Sequence, residues 1–166
     1  MAITPDKFVK TYYPFAKQVE DETGIPAVAI LAQSALESSW GNKAIGNNLF
    51  GIKFKKGDYG YQKVLTTEYS DKPDKFKGED LSSVTWDVER KKYKYKVYQY
   101  FADYKTPYDA FLAHSKLLLS ERYKTALQYK DNPELFLKEV ARCGYATDPN
   151  YANKMAQMVK SITKRL

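Results

Sequence analysis

The sequence predicts an α+β domain in which helices on both sides of a central segment flank a small antiparallel sheet. Several prolines follow a residue type that caps helices, which is typical of the first turn of a helix. Apolar residues near the N-terminus recur at helical spacing, whereas segments in the middle of the chain alternate with a period of two. We therefore expect a helical lobe, a β-lobe and a cleft between them.

Helix starts are predicted by four dipeptides in which a capping residue precedes proline. These dipeptides are Thr4-Pro5, Thr106-Pro107, Asn132-Pro133 and Asp148-Pro149. The helices expected after them cover residues 5–22, 107–120, 133–142 and 149–164. A further helix is expected after Pro26, because apolar residues recur there every three or four positions. A short helical segment is expected over Glu121–Tyr129.

Three segments in the middle of the chain predict strands. They are "YQKVLTTEY" (61–69), "LSSVTWDVE" (81–89) and "KKYKYKVYQYF" (91–101). The intervening "SDKPDKFKGED" is polar and broken by a proline, so we expect an inserted loop there. The β-lobe should then cover about 59–101, within a single domain that spans residues 1–166.

Composition narrows the function classes. Of the 166 residues, 43% are apolar and 28% charged, which is typical of a globular domain, and the net charge of +7 favours polyanions such as nucleic acid or an anionic cell wall. One cysteine and one histidine weigh against zinc hydrolases and Ser-His or Cys-His triads. His114 lies in a predicted helix and Cys143 next to a glycine, so we expect both to be packed structural residues. Any proton chemistry should therefore fall to carboxylates.

Nucleic-acid binding would be suggested by "KKYKYKVYQY", where basic and aromatic residues interleave. A strand explains the same pattern more simply, with the aromatic residues on one face and the lysines on the other, so no nucleic-acid partner is expected. The N-terminus lacks the apolar core of a signal peptide, and no segment is apolar enough to insert into a membrane.

Glu37 is the carboxylate whose setting first suggests catalysis. Gln33, Glu37 and Trp40 share one face of the helix after Pro26, beside its apolar face. Partial burial there would raise the pKa of the Glu37 carboxyl, as a general acid requires. Spacing alone leaves open an ordinary solvated residue at a helix end.

A family resemblance extends over nearly the whole chain. "AILAQSALESSWGNKAIGNNLFGIK" (29–53) resembles the signature of the glucosaminidase family of peptidoglycan hydrolases, which includes the muramidase domain of flagellar rod-assembly proteins, bacterial autolysins and phage lysins. Further similar segments follow in the family's order. They are "VLTTEY" (64–69), "YFADYKTPYDAFLAHSKLL" (100–118) and "CGYATDPNYANK" (143–154).

The resemblance implies a lysozyme-like fold and an endo-β-N-acetylglucosaminidase that hydrolyses the β-1,4 bond after N-acetylglucosamine in peptidoglycan. It implies catalytic roles for Glu37 as the acid, Glu68 as a second carboxylate and Tyr145 in the active cleft. The segment between Glu68 and Phe101 is longer than in many members, and Glu89 has the more usual spacing. The local string "TTEY" favours Glu68 over Glu89.

Other expectations accompany this interpretation. Substrate binding is expected at Trp40, Asn48 and Tyr123. We expect a monomer that needs no metal or cofactor and acts on the cell wall, either as a phage-encoded lysin or as a domain of a secreted protein. Glu68 could serve as a general base in an inverting reaction, or the acetamido group of the substrate could attack with retention. An N-acetylmuramidase or lytic transglycosylase, and a catalytically weak wall-binding virion module, are the alternative functions.

Overall fold

The computed structural model describes all 166 residues, as five α-helices, one 3₁₀ helix and one three-stranded sheet. The elements in chain order are α1 (Pro5–Thr23), α2 (Ala27–Ser38), β1 (Gly60–Ser70), β2 (Leu81–Asp87), β3 (Lys92–Asp103), α3 (Pro107–Leu118), the 3₁₀ helix (Glu121–Tyr129), α4 (Pro133–Arg142) and α5 (Tyr151–Thr163). The predicted α+β class is confirmed. No helix combines the length and the apolarity that crossing a membrane requires.

Two compact units divide the chain. The helical unit comprises Met1–Gly51 and Tyr104–Leu166, and the sheet unit comprises Ile52–Asp103. The sheet unit begins several residues before the predicted β-lobe, because the segment after Gly51 pairs with β3 through an isolated bridge between Lys53 and Phe101. A single domain over residues 1–166 stays a prediction.

Three of the four predicted capping dipeptides begin helices. The Thr4 hydroxyl accepts a hydrogen bond from the Lys7 amide at 3.2 Å, and the Asn132 side chain accepts one from the Leu135 amide at 3.1 Å. Thr106 forms a full capping box with Asp109, in which each side chain bonds to the other's backbone amide. These local bonds satisfy amides that have no partner within the helix.

The fourth dipeptide ends in a turn, so the prediction of a helix from residue 149 was wrong by two residues. The Asp148 carboxylate accepts a hydrogen bond from the Asn150 amide at 2.9 Å, which folds the chain into a tight turn. Helix α5 therefore starts at Tyr151.

Helix α2 is the central element of the helical unit and packs against α1, α3, α4 and α5. All of its residues from Ala29 to Ala35 are buried, including the polar Gln33 and Ser34. The helix then ends abruptly, because Ser39 and Trp40 adopt positive φ angles of 51° and 57°. Glu37 therefore sits in the last turn of the most buried helix.

A continuous series of aromatic contacts runs through the helical unit. Neighbouring rings lie between 4.0 and 6.2 Å apart, centroid to centroid. The rings are Trp40, Phe8, Tyr12, Phe111, Phe50, His114, Tyr145, Tyr123 and Tyr151. Large aromatic side chains thus fill much of the core between the helices.

The three predicted strands form one antiparallel sheet in the order β1-β3-β2. Tyr95 of β3 pairs with Glu68 of β1 on one side and with Val84 of β2 on the other. Strand β2 ends at Asp87, two residues earlier than predicted, because the Asp87 carboxylate accepts a hydrogen bond from the Arg90 amide at 2.9 Å and starts a turn.

The predicted inserted loop lies between β1 and β2 and is held by one buried tyrosine. The Tyr95 hydroxyl donates a hydrogen bond to the Lys72 carbonyl and accepts one from the Lys75 amide at 3.2 Å. The Phe76 ring lies 5.2 Å from the Tyr95 ring. These contacts fix a polar loop of no regular secondary structure onto the sheet.

Candidate active site

The Glu37 carboxyl stands at the end of α2, where the fully buried part of the helix gives way to solvent. The side chain remains accessible to water. Enough protein surrounds the carboxyl for desolvation to raise its pKa above the ordinary value of 4.5. This position combines the access that a substrate needs with a carboxyl that holds its proton better than a solvated one.

A buried polar network lies one helical turn before Glu37. The Gln33 side chain is fully buried; its Oε1 lies 2.6 Å from His114 Nε2, and its Nε2 donates to the Tyr151 hydroxyl at 3.0 Å. Since Gln33 Nε2 is the donor to Tyr151, Gln33 Oε1 is the acceptor and His114 Nε2 carries the proton. The network fixes the orientation of Tyr151.

His114 is a structural residue, as its helical setting predicted. Its ring stacks on Phe50 at 4.0 Å with an interplanar angle of 10°. Complete burial lowers its pKa from 6.5 to about 3, so the imidazole is neutral around neutral pH.

Tyr145 follows α4 and joins the tyrosines around Gln33. Its ring lies 5.4 Å from Tyr151 and 6.2 Å from Tyr123. Burial raises the pKa of the Tyr145 hydroxyl, and the proximity of two further acidic groups, Tyr151 and Glu37, raises it further. Burial and the charge of Glu37 likewise raise the pKa of Tyr151. The structure therefore brings Glu37, Tyr145 and Tyr151 together, with both hydroxyls held in the protonated form.

The turn that presents Tyr145 depends on Gly144 and on an arginine from the 3₁₀ helix. Gly144 has a φ of +87°, a conformation that favours glycine. Arg122 donates from Nη2 to the Gly144 carbonyl at 2.5 Å and from Nε to the Cys143 carbonyl at 3.0 Å. Cys143 itself is half-buried, and its sulfur lies 3.5 Å from the Thr125 hydroxyl.

Three residues predicted to bind substrate occupy different settings. Asn48 is 1% exposed, and its side-chain oxygen accepts a hydrogen bond from the Phe50 amide at 3.2 Å, which orders the loop after α2. Tyr123 is 3% exposed and packs beside Tyr145. Because both side chains are buried, they are better placed to hold neighbouring residues in position than to contact a sugar directly.

Trp40, the third of these residues, packs at the other end of the aromatic series. Its indole meets the Phe8 ring edge-on at 5.6 Å, and the Arg165 guanidinium lies 5.9 Å from the indole centroid. The side chain is half-buried. Its assignment to substrate binding stays a prediction.

The two candidates for the second carboxylate lie in different parts of the sheet unit. Glu68 is half-buried within β1, where its Oε1 accepts a hydrogen bond from Gln99 Nε2 at 3.3 Å. Burial lowers the pKa of the neighbouring Lys53 ammonium, and the charge of Glu68 opposes that shift. Glu89 is exposed in the turn between β2 and β3. Glu68 is thus the candidate with defined partners.

Sequence reasoning missed the network of Gln33, His114 and Tyr151. The position of Gln33 in the middle of a largely apolar helix could have indicated the network, because a buried glutamine needs polar partners. No cluster of three or more His, Cys, Asp or Glu side chains that could hold a metal ion is present.

Comparison with known proteins shows the family to which the chain belongs. Residues 13–164 match the glucosaminidase family model, described as mannosyl-glycoprotein endo-beta-N-acetylglucosaminidase. The chain belongs to the glucosaminidase family. Among relatives, peptidoglycan hydrolase FlgJ of Pseudomonas aeruginosa is 32% identical over 170 residues, which cover 98% of this chain and 38% of the relative. Exo-glucosaminidase LytG of Bacillus subtilis is 30% identical, over 82% of this chain and 43% of the relative.

Solved structures show the same glucosaminidase fold. The C-terminally truncated glycoside hydrolase domain of Salmonella typhimurium FlgJ aligns with a TM-score of 0.74 at 27% identity, covering 97% of this chain and 99% of that one. The predicted lysozyme-like fold and the predicted family are confirmed. The chain spans less than half the length of the FlgJ and LytG relatives.

Proposed function

We propose that this chain is an endo-β-N-acetylglucosaminidase that hydrolyses the β-1,4 bond after N-acetylglucosamine in peptidoglycan. One observation carries the proposal: in a chain of the glucosaminidase family, the signature carboxyl of Glu37 is solvent-accessible, has a raised pKa and neighbours two protonated tyrosines. The proposed site of action is the cell wall, reached either as a phage-encoded lysin or as a domain of a secreted protein. We propose that the enzyme acts as a monomer.

Glu37 is the proposed general acid. Cleavage of a glycosidic bond passes through an oxocarbenium-like transition state and leaves negative charge on the departing oxygen. A carboxyl whose pKa is raised by desolvation retains its proton closer to neutral pH, so it can donate that proton as the bond breaks. Such a donor typically contributes about 10²–10⁴-fold to the rate.

Tyr145 is the proposed orienting residue. Because burial and the charge of Glu37 raise the pKa of its hydroxyl, Tyr145 stays a hydrogen-bond donor throughout the working pH range. In the proposed reaction it donates to the acetamido group of the sugar before the scissile bond. That contact would suit a reaction in which the acetamido oxygen attacks the anomeric carbon.

Glu68 is the proposed second carboxylate. The Gln99 amide donates a hydrogen bond to Glu68 Oε1. The Lys53 ammonium lies close enough for the charge of Glu68 to raise the pKa of Lys53, against the lowering effect of burial. In an inverting reaction Glu68 takes the proton of the attacking water. The anomer formed first, read by NMR during early turnover, separates the two mechanisms, since inversion yields the α-anomer and substrate assistance the β-anomer.

Mass analysis of digested peptidoglycan tests the proposed bond specificity. New reducing ends that carry N-acetylglucosamine are the expected result. Ends that carry N-acetylmuramic acid would indicate a muramidase, and 1,6-anhydro ends a lytic transglycosylase; either result contradicts the proposal. Wild-type protein that sediments with purified walls but releases no ends would support a wall-binding module instead.

Glu37→Gln tests the assignment of the acid. The variant should lose about 10²–10⁴-fold in the rate of reducing-end release. Glu134→Gln, which removes an exposed carboxylate on α4, is the matched control and should keep the wild-type rate. A Glu37→Gln variant that digests walls as fast as the control would remove Glu37 from the mechanism.

An exo-acting enzyme is a second candidate, because one relative at 30% identity is an exo-glucosaminidase. The distribution of product lengths during early digestion separates the two modes. An endo-enzyme shortens long glycan strands to a broad range of fragments at once. Release of a single short product while the strands remain long would favour the exo mode.

A further inference from the structure

A pocket of about 540 Å³ opens in the sheet unit. Its lining includes Lys53, Phe76 and Gln99 on the sheet face of Glu68, and Phe54, Tyr98 and Tyr100, whose side chains lie on the opposite face. The volume falls within the range of about 300–1,000 Å³ that is usual for pockets that bind small ligands. On the Glu68 face, the Phe76 ring and the Lys53 ammonium both line the pocket, and a flat apolar ring beside a cation is suited to a ring-shaped ligand that carries negative charge.

The pocket forms where β3 changes its neighbour. The Tyr98 amide donates to the Asp80 carbonyl at 2.8 Å, just before β2, and the Tyr100 carbonyl accepts from the Phe54 amide at 2.9 Å. The two partner segments therefore meet β3 at neighbouring positions, Tyr98 and Tyr100. The pocket is a product of this junction in the sheet.

The inserted loop supplies one wall, and that wall is anchored. Phe76 and Lys77 belong to the loop, and Phe76 packs at 5.2 Å against the fully buried Tyr95. The Tyr95 hydroxyl binds the loop backbone at Lys72 and Lys75. The wall is thereby held in place before any ligand arrives, which reduces the entropy cost of binding.

The acidic group in the pocket wall already has partners. Asp80 accepts a hydrogen bond from the Tyr100 hydroxyl at 3.0 Å and lies 3.8 Å from the Lys63 ammonium. Lys53, by contrast, lies 4.1 Å from the Phe101 ring centroid and takes part in no salt bridge. Lys77 reaches Asp74 only at 3.6 Å, with both side chains largely exposed. Because the exposed Lys77–Asp74 pair contributes little, a bound anion could replace Asp74 as the partner of Lys77. Lys53 has no salt bridge to give up, although the charge of Glu68 already acts on it.

We propose that this pocket binds an amino sugar bearing a carboxylate on the sheet face of Glu68, with the Phe76 ring against the sugar and Lys53 and Lys77 against the carboxylate. The proposal rests on the proposed function, since peptidoglycan is a polymer of such sugars. Two groups supply the carboxylate there: the lactyl group of N-acetylmuramic acid once its peptide is removed, and the acidic residues of the stem peptide.

The pocket is also connected to the proposed second carboxylate. Gln99 lines the pocket and donates to Glu68 at 3.3 Å. A sugar held in the pocket would lie one side chain away from Glu68. Recognition of the carboxylate would thus select which sugar of the alternating glycan strand is presented at that residue.

Binding to three tetrasaccharides by isothermal titration calorimetry tests the proposal. The probes are neutral chitotetraose, an N-acetylglucosamine–N-acetylmuramic acid tetrasaccharide without peptides, and the same tetrasaccharide with stem peptides. All proteins carry Glu37→Gln, so that the measurement does not depend on turnover. We expect at least one charged probe to bind about tenfold more tightly than chitotetraose, as one or two charge-assisted contacts would give.

A double lysine variant and its control test whether Lys53 and Lys77 cause the tighter binding of the charged probes. Lys53→Gln combined with Lys77→Gln should weaken binding of the preferred charged probe about tenfold and leave chitotetraose unchanged. Lys56→Gln, an exposed lysine of the same unit outside the pocket, is the control and should behave as the parent. Preference for the peptide-free probe assigns the carboxylate to the lactyl group, and preference for the peptide-bearing probe assigns it to the stem.

The proposal is overturned if the double variant binds every probe as the Lys56→Gln control does, or if it loses affinity for chitotetraose and the charged probes equally. Thermal unfolding of each variant verifies that the comparison is between folded proteins. The proposed function fails by a different result, namely wild-type protein that releases no reducing ends from peptidoglycan.

Discussion

Gln33 and His114, 81 positions apart in the sequence, meet in the core of the helical unit at a distance of 2.6 Å. The contact sets the Gln33 amide so that its nitrogen donates to the Tyr151 hydroxyl. Tyr151 in turn lies beside Tyr145, and the charge of the Glu37 carboxylate raises the pKa of both hydroxyls. The surroundings of the proposed acid are thus supported by a histidine that takes no part in proton transfer.

The first prediction concerns acid stability. Burial lowers the pKa of His114 to about 3, whereas the unfolded chain binds this proton near 6.5, so the unfolded state binds more protons between these values. The contribution of His114 to stability is therefore present above about pH 6.5 and lost as the pH falls towards 3. The full loss is on the order of 5 kcal/mol, measurable by urea unfolding across this range.

His114→Gln isolates this effect, because the protein has no other histidine and the new amide can still donate to Gln33. The variant should be less stable than wild type at neutral pH, since the stacking on Phe50 is reduced. The gap between the two proteins should narrow on acidification. A gap that stays constant from about pH 6.5 to 4 would contradict a buried neutral imidazole.

The second prediction concerns Glu37, whose pKa is raised from 4.5 in the folded protein. The folded state keeps this proton at pH values where the unfolded chain has lost it, so the contribution to stability is present below the unfolded value and lost as the pH rises through the folded one. Glu37→Gln should therefore gain melting temperature relative to wild type as the pH rises above the ordinary glutamate pKa of 4.5. In wild type, kcat/KM should fall as Glu37 loses its proton, and this fall should occur at a pH above the ordinary pKa of a glutamate. An unchanged difference in melting temperature would contradict the desolvation of Glu37.

The third prediction distinguishes Glu68 from Glu89. Glu68→Gln should lower kcat by about 10²-fold or more if Glu68 is the general base. Glu89→Gln removes an exposed carboxylate in a turn and should leave kcat unchanged. Initial rates of reducing-end release measure both, and the opposite pattern would transfer the role to Glu89. Azide rescue of Glu68→Ala, with formation of a glycosyl azide, would further identify a base acting on the nucleophile.

The fourth prediction concerns the turn that presents Tyr145. A Cβ at position 144 would lie 2.7 Å from Arg122 Nη2, at a φ of +87°. Gly144→Ala should therefore cost about 1–2 kcal/mol through backbone strain and displace the arginine that holds the turn. Because Tyr145 is the next residue, kcat should fall at temperatures where the variant is still folded.

Gly57→Ala is the matched control for that variant. Gly57 also has a positive φ, of +99°, but an added Cβ there would meet nothing within 4 Å. It should show a similar loss of stability, measured by thermal unfolding, with a wild-type kcat. Equal losses of kcat in both variants would indicate that strain alone, and not the position of Tyr145, explains the result.

Local patterns in the chain were sufficient for most of the architecture. The caps at Thr4, Thr106 and Asn132 act through hydrogen bonds to residues only three positions away. Such caps can therefore be predicted from a short stretch of sequence. The alternation around Tyr95 identified a strand because side chains of a sheet point to opposite faces in turn. Spacing alone left the role of Glu37 open, and the family signature around it is what made it the predicted acid.

Tertiary contacts decided what those patterns could not. Gln33 looked like a neighbour of Glu37 on a helix face, and only its partners His114 and Tyr151, 81 and 118 positions away, show that it is buried and bonded. The burial of Asn48, which is 1% exposed, is likewise decided by the packing of the fold, and its role in substrate binding stays a prediction. Periodicity reports which face of an element is apolar. Which polar groups meet inside the core depends on contacts between distant segments, and these form only when the helices pack.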